Sequence, residues 1–576
     1  VGEAEPGSAL YKAALLPFGG QLTNNNSNMT SLDMQHKLVA SKTFNEIHRV
    51  NGMFGFEMRS SKTYGKGTNV WGYVPERGES LISPSLPEDI VPIGGTQSVG
   101  WGALRGLFEG GWSSINNTSN YVSFFGTAAY SLKNRYVMNM NIRSDASNRF
   151  GQDKRKQFDP TYSFGFSWKI AEEKFIKDNV KWLDQLNLRA TYGIQGNVVN
   201  SISPELIASY GGLLPGYNEY YTSIASLPNP YLKWERTKTW NLGLDMQIFR
   251  AVTMSLEYYG RRSNAIIEQD VPEEYGMGTL KLNGGIIVNH GLEWTMNITP
   301  IKTKDLVVSV GFNASKNWNK TETDDRTARV DQLTHRDFVA GNSQRPLRKG
   351  YSLYSFWAYD FTGLDHETGL PTFRGTQVEE FENPDKTIDP LSFLVYAGES
   401  EPFFTGGINP HVRWKDLQVS ASFALILGSK KRLPNPYSTF TYGKMPSPLS
   451  NLSKELLNRW KQPGDELHTN IPGLYTSVAD ILNLYTPDGY FTNRYEMWAN
   501  STARLVSGSF FRCNQLSVSY YLPKKICQKI HATSISLSGS TNNLFVIASK
   551  KWNGFDPELG NSIQPRIFSF GLSASF

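Results

Sequence analysis

Alternation with a period of two is the feature that most constrains how this 576-residue chain can fold. In the segment at residues 567–576, the even positions are apolar and mostly aromatic, whereas the odd positions carry mostly serine and glycine. Successive side chains of a β-strand point to opposite faces, so this pattern predicts a strand with one apolar face. The segments that share it include IFSFGLSASF (567–576), NQLSVSYYL (514–522), LQVSASFAL (417–425) and NLGLDMQI (241–248).

The polar faces of these strands carry mainly Ser, Asn, Gln, Gly and Thr, and few Lys or Glu. Aromatic residues make up 13% of the chain and charged residues 19%. This composition favours an all-β transmembrane antiparallel barrel, in which the apolar face meets lipid and the polar face lines the interior. The alternative is a soluble sandwich, in which the apolar faces of two sheets share one core.

The predicted connections alternate between tight turns and long polar loops. Tight turns on one rim and long loops on the other are typical of outer-membrane barrels, with the turns in the periplasm and the loops outside. The tight turns are predicted at Lys133–Arg135, Phe249–Ala251, Lys415–Asp416 and Asn45–His48. The long loops are predicted at about 196–231, 317–349 and 428–507.

The pattern predicts about sixteen strands. Residues 1–31 are rich in Asn and Ser and are predicted to be a loop. The predicted strands cover residues 32–43, 47–60, 120–132, 135–148, 160–170, 184–195, 236–248, 252–264, 285–299, 305–317, 352–360, 404–414, 417–428, 508–522, 533–546 and 567–576.

An ordered set of segments resembles one family, the SusC-like (SusC/RagA) TonB-dependent outer-membrane transporters of Bacteroidetes. The segments are SNRFGQDKR (147–155), YSFGFSWKIAEEKFI (162–176), WLDQLNLRATYGIQGN (182–197), NPYLKWERTKTWNLGLD (229–245), NHGLEWTM (289–296), SFFRCNQLSVSYYLPKK (509–525), NNLFVI (542–547) and WNGFDPELG (552–560). The resemblance implies a plugged barrel of about 22 strands. It also implies that residues 1–576 form the C-terminal portion of that barrel, with the plug and N-terminal appendage domains outside this chain.

The same resemblance implies a function and several partners. It implies active import of an oligosaccharide, or next an oligopeptide, across the outer membrane. The implied partners are a SusD-like surface lipoprotein acting as a lid, the TonB complex reached through the N-terminal part, the barrel-assembly machinery, and lipid and lipopolysaccharide. The chain contains 58 basic and 52 acidic residues, and the basic residues form no long run. The sequence therefore does not suggest binding to nucleic acid.

Aromatic residues in the predicted external loops are the candidates for cargo binding, because their flat faces suit sugar rings and peptide backbones. They are Trp71, Tyr73, Tyr217, Tyr220, Tyr221, Trp357 and Tyr359, and the segment PGYNEYY at 215–221 holds three of them. Tyr and Trp also form the girdles at membrane interfaces and pack against partner proteins, so a structural role is the alternative. The resemblance further implies a barrel-assembly signal at Phe568, Phe570 and Phe576.

The sequence predicts no catalytic, metal or cofactor site. Its eight histidines are scattered, and Cys513 and Cys527 are predicted to be free thiols. The segment GLDHETGLPTF, with Asp365, Glu367 and Gly369, has too few oxygen ligands for a calcium site and is predicted to be an ordinary turn. Two other functions stay open, a barrel-embedded hydrolase of outer-membrane lipids and a secreted soluble β-sheet protein that binds glycans.

Overall fold

The computed structural model describes most of the chain from residue 20 to the C-terminus. The described residues are 20–81, 111–148, 158–197, 199, 205–213, 219–229, 231–270, 272, 274, 279–323, 348–374, 394–437, 453–474, 483–485 and 491–576. The contacts between residues divide the chain into two compact units. The first comprises residues 1–39, 53–126 and 143–160, and the second comprises residues 40–52, 127–142 and 161–576.

Strands dominate the secondary structure. They are β1 (Gly20–Phe44), β2 (His48–Val74), β3 (Ser80–Leu81), β4 (Gly111–Leu132), β5 (Tyr136–Ser147), β6 (Asp159–Lys169), β7 (Leu183–Asn197), β8 (Ile207–Leu213), β9 (Tyr220–Ser226), β10 (Glu235–Ile248), β11 (Val252–Asp270), β12 (Thr279–Lys302), β13 (Leu306–Thr321), β14 (Ser355–Tyr359), β15 (Phe361–Leu364), β16 (Pro371–Phe373), β17 (Leu394–Glu399), β18 (Phe404–Trp414), β19 (Leu417–Leu427), β20 (Lys430–Arg432), β21 (Asn483–Tyr485), β22 (Phe491–Asn493), β23 (Leu505–Ser507), β24 (Phe510–Tyr521), β25 (Ser534–Ala548) and β26 (Ile567–Ser575).

Helices are short. The α-helices are α1 (Lys174–Lys177), α2 (Arg494–Ala499) and α3 (Lys524–Lys529). The 3-10 turns cover Pro75–Arg77, Ile170–Glu172, Lys454–Asn458, Asp465–Leu467, Thr502–Arg504 and Lys550–Trp552. Among the described residues, no helix is both long enough and apolar enough to cross a membrane.

One 16-stranded sheet follows the order of the chain. Its strands lie in the order β1-β2-β4-β5-β6-β7-β10-β11-β12-β13-β18-β19-β24-β25-β26, and β3 pairs with β2. The pairs from β6 to β26 are antiparallel hairpin neighbours, as the alternating pattern predicts. The predicted all-β antiparallel fold is therefore confirmed, and every predicted strand except 352–360 overlaps a strand of this sheet.

Two segments differ from the sequence prediction. Residues 20–31 were predicted to be a loop but belong to β1, because the hydrogen-bonded ladder with β2 does not require apolar side chains. Residues 352–360 were predicted to be a strand of the large sheet, but β14 pairs with β17 in a separate two-stranded sheet. Trp357, Ala358 and Tyr359 in β14 are all buried, so both faces of this strand are packed against protein.

The tight turns lie where the sequence predicts them. In the hairpins that join β1 to β2, β4 to β5 and β10 to β11, two consecutive residues have positive φ. These conformations match the primed turns, whose backbone twist suits the twist of a hairpin. The residue pairs are Asn45–Glu46, Lys133–Asn134 and Phe249–Arg250, and Lys415 in the β18–β19 turn is also left-handed.

The long connections of the second unit build a compact body that we call the loop module, defined as residues 351–374, 394–400, 429–437, 453–474 and 491–507. Its core joins residues that are far apart in the sequence and less than a tenth exposed. Two of its buried aromatic side chains donate to distant carbonyls: the Tyr495 hydroxyl to Gly473 at 2.8 Å, and the Trp498 indole to Asn470 at 2.8 Å. The core residues are Trp357, Tyr359, Leu370, Phe373, Leu394, Tyr437, Leu456, Tyr495, Met497 and Trp498.

Candidate functional site

A row of mostly aromatic residues crosses the apolar face of the sheet in the second unit. We call it the aromatic row; its members are register partners from β6 to β13, namely Phe164, Tyr192, Trp240, Gly260, His290 and Trp318. The Trp240 ring lies over Gly260, where an added Cβ would approach it to 2.5 Å. The absence of a side chain at Gly260 therefore leaves the space that the Trp240 ring occupies. The centroid of this ring lies 6.4 Å from that of His290.

Below the aromatic row, toward the tight turns, the same face is mainly apolar. On β10 it presents Leu242, Leu244, Met246 and Ile248, and the turn that follows carries Phe249, which is 71% exposed and contacts Trp182. The nine residue steps from Trp240 to Phe249 correspond to about 30 Å at about 3.4 Å each. A strand tilt of about 40° reduces this to about 23 Å, close to the ~25 Å apolar band of a membrane barrel between its two aromatic girdles.

The opposite face is polar, and a cluster of ion pairs spans β7, β10 and β11. The Arg189 guanidinium donates to both carboxylate oxygens of Asp245, at 2.7 and 3.0 Å, and to Glu257 at 2.8 Å. Asn241 donates to Glu257 at 3.0 Å, and Ser255 donates to Asp245 at 2.8 Å. One arginine thus bridges two carboxylates, which leaves the cluster with a net charge of about −1.

Gly243 makes room for this cluster. It is the register partner of both Arg189 and Glu257, and an added Cβ would meet the guanidinium at 3.0 Å. The side chains of Arg189, Asp245 and Glu257 keep about a third of their surface exposed. Water or a polar solute can therefore reach a wall whose charged groups already hydrogen-bond to one another.

A similar cluster lies in the first unit, on β2, β4 and β5. Arg143 donates to Asp145 at 2.6 Å, to Ser123 at 2.8 Å and to Glu57 at 3.3 Å. Arg59 contacts the other oxygen of Glu57 at 3.2 Å. Each unit thus carries paired arginines and carboxylates on its strands.

The connection from β25 to β26 is tied to β24 by a buried ion pair. Arg512 donates to both oxygens of Asp556, at 2.7 and 2.8 Å, and both side chains are at least 95% buried. The backbone N–H groups of Glu558 and Leu559 also donate to Asp556, which closes the turn. The segment WNGFDPELG therefore has a structural role at its aspartate.

The predicted cargo-binding aromatics fall in different environments. Trp71 and Tyr73 are half-buried in β2. Tyr220 and Tyr221 begin β9, and Tyr221 is 45% exposed, whereas Tyr217 lies outside the described residues. Trp357 and Tyr359 share the core of the loop module and are each 3% exposed, so the contacts seen here are packing contacts. Cargo contact by these residues stays a prediction.

Sequence reasoning named Trp357 but missed the two tyrosines that form an aromatic cluster with it at the surface of the loop module. Tyr351, Trp357 and Tyr396 meet pairwise, with ring centroids 4.9, 5.1 and 5.5 Å apart. Tyr351 is 37% exposed and Tyr396 is 43% exposed, so two rings of the cluster face solvent. Tyr351 precedes one predicted strand and Tyr396 lies in the six-residue β17, which is too short to give a periodic signal.

The C-terminal phenylalanines are freely exposed. Phe568 is 62% exposed, Phe570 is 89% exposed and Phe576 is 84% exposed. Phe568 and Phe570 lie on the same face of β26. One edge of this strand pairs with β25. Their exposure is what a lipid-facing strand requires, and their role as a barrel-assembly signal stays a prediction.

The acidic segment at Asp365 forms a turn. The Thr368 hydroxyl donates to Asp365 at 2.7 Å and holds the pKa of that carboxyl below its usual range, aided by the Thr368 N–H at 2.8 Å. His366 pairs with Glu466 at 2.6 Å, which raises the pKa of His366 and lowers the pKa of Glu466 to about 2. Among the described residues, no cluster of three or more His, Cys, Asp or Glu side chains could hold a metal ion.

Both cysteines are free and buried, as predicted from their spacing. The Cys513 thiol contacts the Gln515 carbonyl at 3.7 Å, and the Cys527 thiol contacts the Leu522 carbonyl at 3.5 Å. Cys527 belongs to the helix α3 and packs with Ala532 and Ile535.

Comparison with known proteins agrees with this architecture. The TonB-dependent receptor SusC of Bacteroides thetaiotaomicron is 27% identical over 484 residues, which cover 79% of this chain and 44% of that protein. The TonB-dependent receptor P3 of Formosa agariphila is 25% identical over 461 residues, covering 77% of this chain and 43% of that protein. The chain therefore spans about half the length of the curated relatives it matches.

Solved structures show the same fold. The RagAB peptide importer in its closed-closed state superimposes with a TM-score of 0.70 at 21% identity, covering 96% of this chain and 56% of that one. The family model described as TonB dependent receptor-like, beta-barrel, matches residues 9–361. The chain therefore belongs to the TonB-dependent receptor β-barrel family, whose members lie in the outer membrane.

Proposed function

We propose that this outer-membrane protein contributes the later barrel strands of a TonB-dependent importer. Its cargo is a nutrient, an oligosaccharide in the first place and an oligopeptide in the second. In this proposal the rest of the barrel, the plug and the segment that contacts TonB correspond to the part of the relatives that this chain does not cover. The long connections, which include the loop module, face the outside, and the tight turns face the periplasm.

The observation that carries this proposal is the difference between the two faces of the sheet. One face bears an apolar band bounded by the aromatic row and the Trp182–Phe249 pair. The other bears the partly exposed Arg189–Asp245–Glu257 cluster, which gives it a hydrophilic surface. A barrel wall of this kind suits the passage of hydrophilic cargo.

The cluster of Tyr351, Trp357 and Tyr396 is the candidate cargo contact at the outer rim. Its two exposed rings present flat apolar faces on a rigid base, because Trp357 is held in the core of the loop module. Such rings stack on the C–H face of a sugar and also hold a peptide backbone. The structural relative described as a peptide transporter keeps the peptide alternative open.

The loop module also offers a seat for a SusD-like lipoprotein lid. Two leucines in its 3-10 turns point into solvent: Leu457 is 67% exposed and Leu467 is 79% exposed. A partner protein that covered these two side chains would remove apolar surface from water, which is favourable. In this proposal the lid seats on the loop module and retains cargo.

Two other functions are less well supported. A secreted soluble glycan-binding protein is inconsistent with membership of an outer-membrane barrel family. A lipid hydrolase would need a histidine beside a serine, yet among the described residues the side-chain hydrogen bonds of histidine go to Tyr130 and Glu466. Import remains the function that the geometry supports best.

Uptake measurements test the proposal. The full-length protein is expressed with its lipoprotein partner in cells that lack other importers, and labelled glycans and peptides of defined length are supplied. We expect uptake of one class that stops when TonB is deleted. Replacing Tyr351 and Tyr396 with Ala should weaken uptake at low cargo concentration while barrel assembly stays normal. Uptake that persists without TonB would contradict the proposal.

A further inference from the structure

One carboxylate lies beside the exposed aromatic cluster of the loop module. Ser355 and Trp357 are two residues apart on β14, so both point to the same face of the sheet that β14 forms with β17. Their register partners are Glu399 and Tyr396, because the register shifts by one residue between the two pairs. This bulge brings Glu399 and Tyr396 to one face, whereas their odd spacing would separate them on a regular strand. The two residues lie about 7 Å apart along the strand.

The Glu399 carboxylate has no ion pair or hydrogen bond with any residue that the structure describes. Glu399 is partly buried, and burial raises the pKa of its carboxyl, because water is withdrawn from the charged form and no cation replaces it. The stem of Lys430 lies beside Gly398, where an added Cβ would approach it to 3.0 Å, but its ammonium makes no ion pair with Glu399. The carboxylate can therefore accept from a cationic ligand.

The rings beside this carboxylate offer a surface for a cation, since the face of an aromatic ring is negative and attracts ammonium groups. Burial, followed by the negative charge of Glu399, raises the pKa of the Tyr396 hydroxyl, so the ring is a neutral phenol near pH 7. The ring centroids of Tyr351, Trp357 and Tyr396 are only 4.9 to 5.5 Å apart, which leaves no room for an ammonium group between the rings. A cation would therefore rest on the exposed surfaces of Tyr351 and Tyr396, beside Glu399.

We propose that Tyr351, Tyr396 and Glu399 bind a primary ammonium group of the cargo. Two kinds of cargo carry such a group: an oligopeptide, at its amino terminus or at a lysine, and an oligosaccharide that contains an amino sugar. This inference rests on the proposed function, since it names the chemical class that the aromatic cluster selects. The ammonium group donates to the Glu399 carboxylate and rests on the two rings, whereas a neutral cargo leaves the carboxylate without a partner.

Binding of matched cargo pairs to the purified full-length protein tests this. Each pair differs only in its amino groups: a lysine-containing oligopeptide is compared with its fully N-acetylated form, and a glucosamine oligosaccharide with its N-acetylated form. We expect the amine form of at least one pair to bind about tenfold more tightly than the acetylated form. The pair that shows this preference identifies the source of the ammonium group. Equal binding within both pairs would overturn the proposal.

Variants locate the preference. Glu399→Gln keeps the size of the side chain and removes its charge, so it should abolish the preference for the amine form. Tyr396→Leu should reduce the preference about threefold, because one ring surface is lost. The control is Glu401→Gln, which removes the same charge from an exposed carboxylate two residues along the chain and should keep the tenfold preference. A preference that survives Glu399→Gln, or one that Glu401→Gln abolishes equally, would overturn the proposal.

Assembly and transport are measured separately. Heat-modifiable mobility on gels shows whether each variant forms a barrel, and if Tyr396→Leu does not assemble, Glu399→Gln with its Glu401→Gln control decides the outcome. TonB-dependent uptake that does not distinguish amine from acetylated cargo would overturn this inference and leave the proposed function standing. A preference for amine cargo in a protein without TonB-dependent uptake would count against the proposed function and leave the ammonium site standing.

Discussion

The large sheet and the loop module differ in how their apolar side chains are removed from water. In the sheet, Leu242 is 51% exposed and Phe570 is 89% exposed, so apolar side chains face outward to be covered by lipid. In the loop module, Tyr495, Met497 and Trp498 are at most 1% exposed. The apolar side chains of the sheet are covered by lipid, whereas those of the loop module are buried in a protein core.

The difference also separates the kinds of hydrogen bond that hold each part together. The sheet is held by a continuous backbone ladder, since every inner strand has a partner on both sides in the strand order. The module has only short ladders and relies on side chains that donate to distant carbonyls, such as Trp498 to Asn470 and Tyr495 to Gly473. Loss of one side chain should therefore matter more in the module than in the sheet.

The largest expected effect is the loss of Trp498. Trp498→Ala removes a ring that is 1% exposed and leaves a cavity, which costs about 3–5 kcal/mol. We expect rapid amide exchange and proteolysis across the loop module while the sheet stays protected. Exchange mass spectrometry checks this, with Leu457→Ala, 67% exposed, as the control. Equal loss of protection in the sheet would show that the two parts are one cooperative unit.

The second effect lies where a connection meets the sheet. Asp556→Ala leaves the guanidinium of Arg512, 3% exposed, without its bidentate partner, which costs about 3 kcal/mol. We expect local loosening of residues 549–566, measured by amide exchange and by a lower unfolding midpoint in denaturant. Arg512→Met combined with Asp556→Ala should recover part of the loss. A double variant that is as unstable as the sum of the two single variants would contradict the buried-pair account.

The sheet was predictable from the sequence because its signals are local. Alternation over ten residues and the tight turns at Lys133 and Phe249 define hairpins without any knowledge of distant contacts. The exception, residues 20–31 of β1, lacks alternation, because its side chains are polar on both faces and only the partner strand reveals it.

The loop module was not predictable in the same way. Its core brings Trp357 against residues more than a hundred positions later, and the Phe361 N–H reaches the Thr502 hydroxyl. Short strands such as β14 and β17 give too few repeats to separate a packed core from a barrel strand. The sequence analysis could therefore select candidates because they are Tyr or Trp, but it could not predict that Trp357 and Tyr359 are buried.

The smallest expected effect is a pH dependence confined to the surface of the loop module. The His366–Glu466 pair raises the pKa of His366 and lowers that of Glu466 to about 2. The stabilising contribution of Glu466 is present above its unfolded pKa of about 4.3 and is lost as the pH falls toward 2. That of His366 is present below its unfolded pKa of about 6.5 and is lost as the pH rises through its raised folded value.

Both halves of the pair are therefore at full strength only between about pH 4.5 and 6.5. His366→Gln should lower the protection of residues 453–474 from exchange most within this window and little at pH 8.5. The sheet should show no such dependence, because His366 and Glu466 both lie in the loop module. If the difference in exchange protection between the unchanged protein and the variant did not vary across pH 4–9, the charges of His366 and Glu466 would not contribute to stability. An equal change in the sheet would instead couple the module to the strands below it.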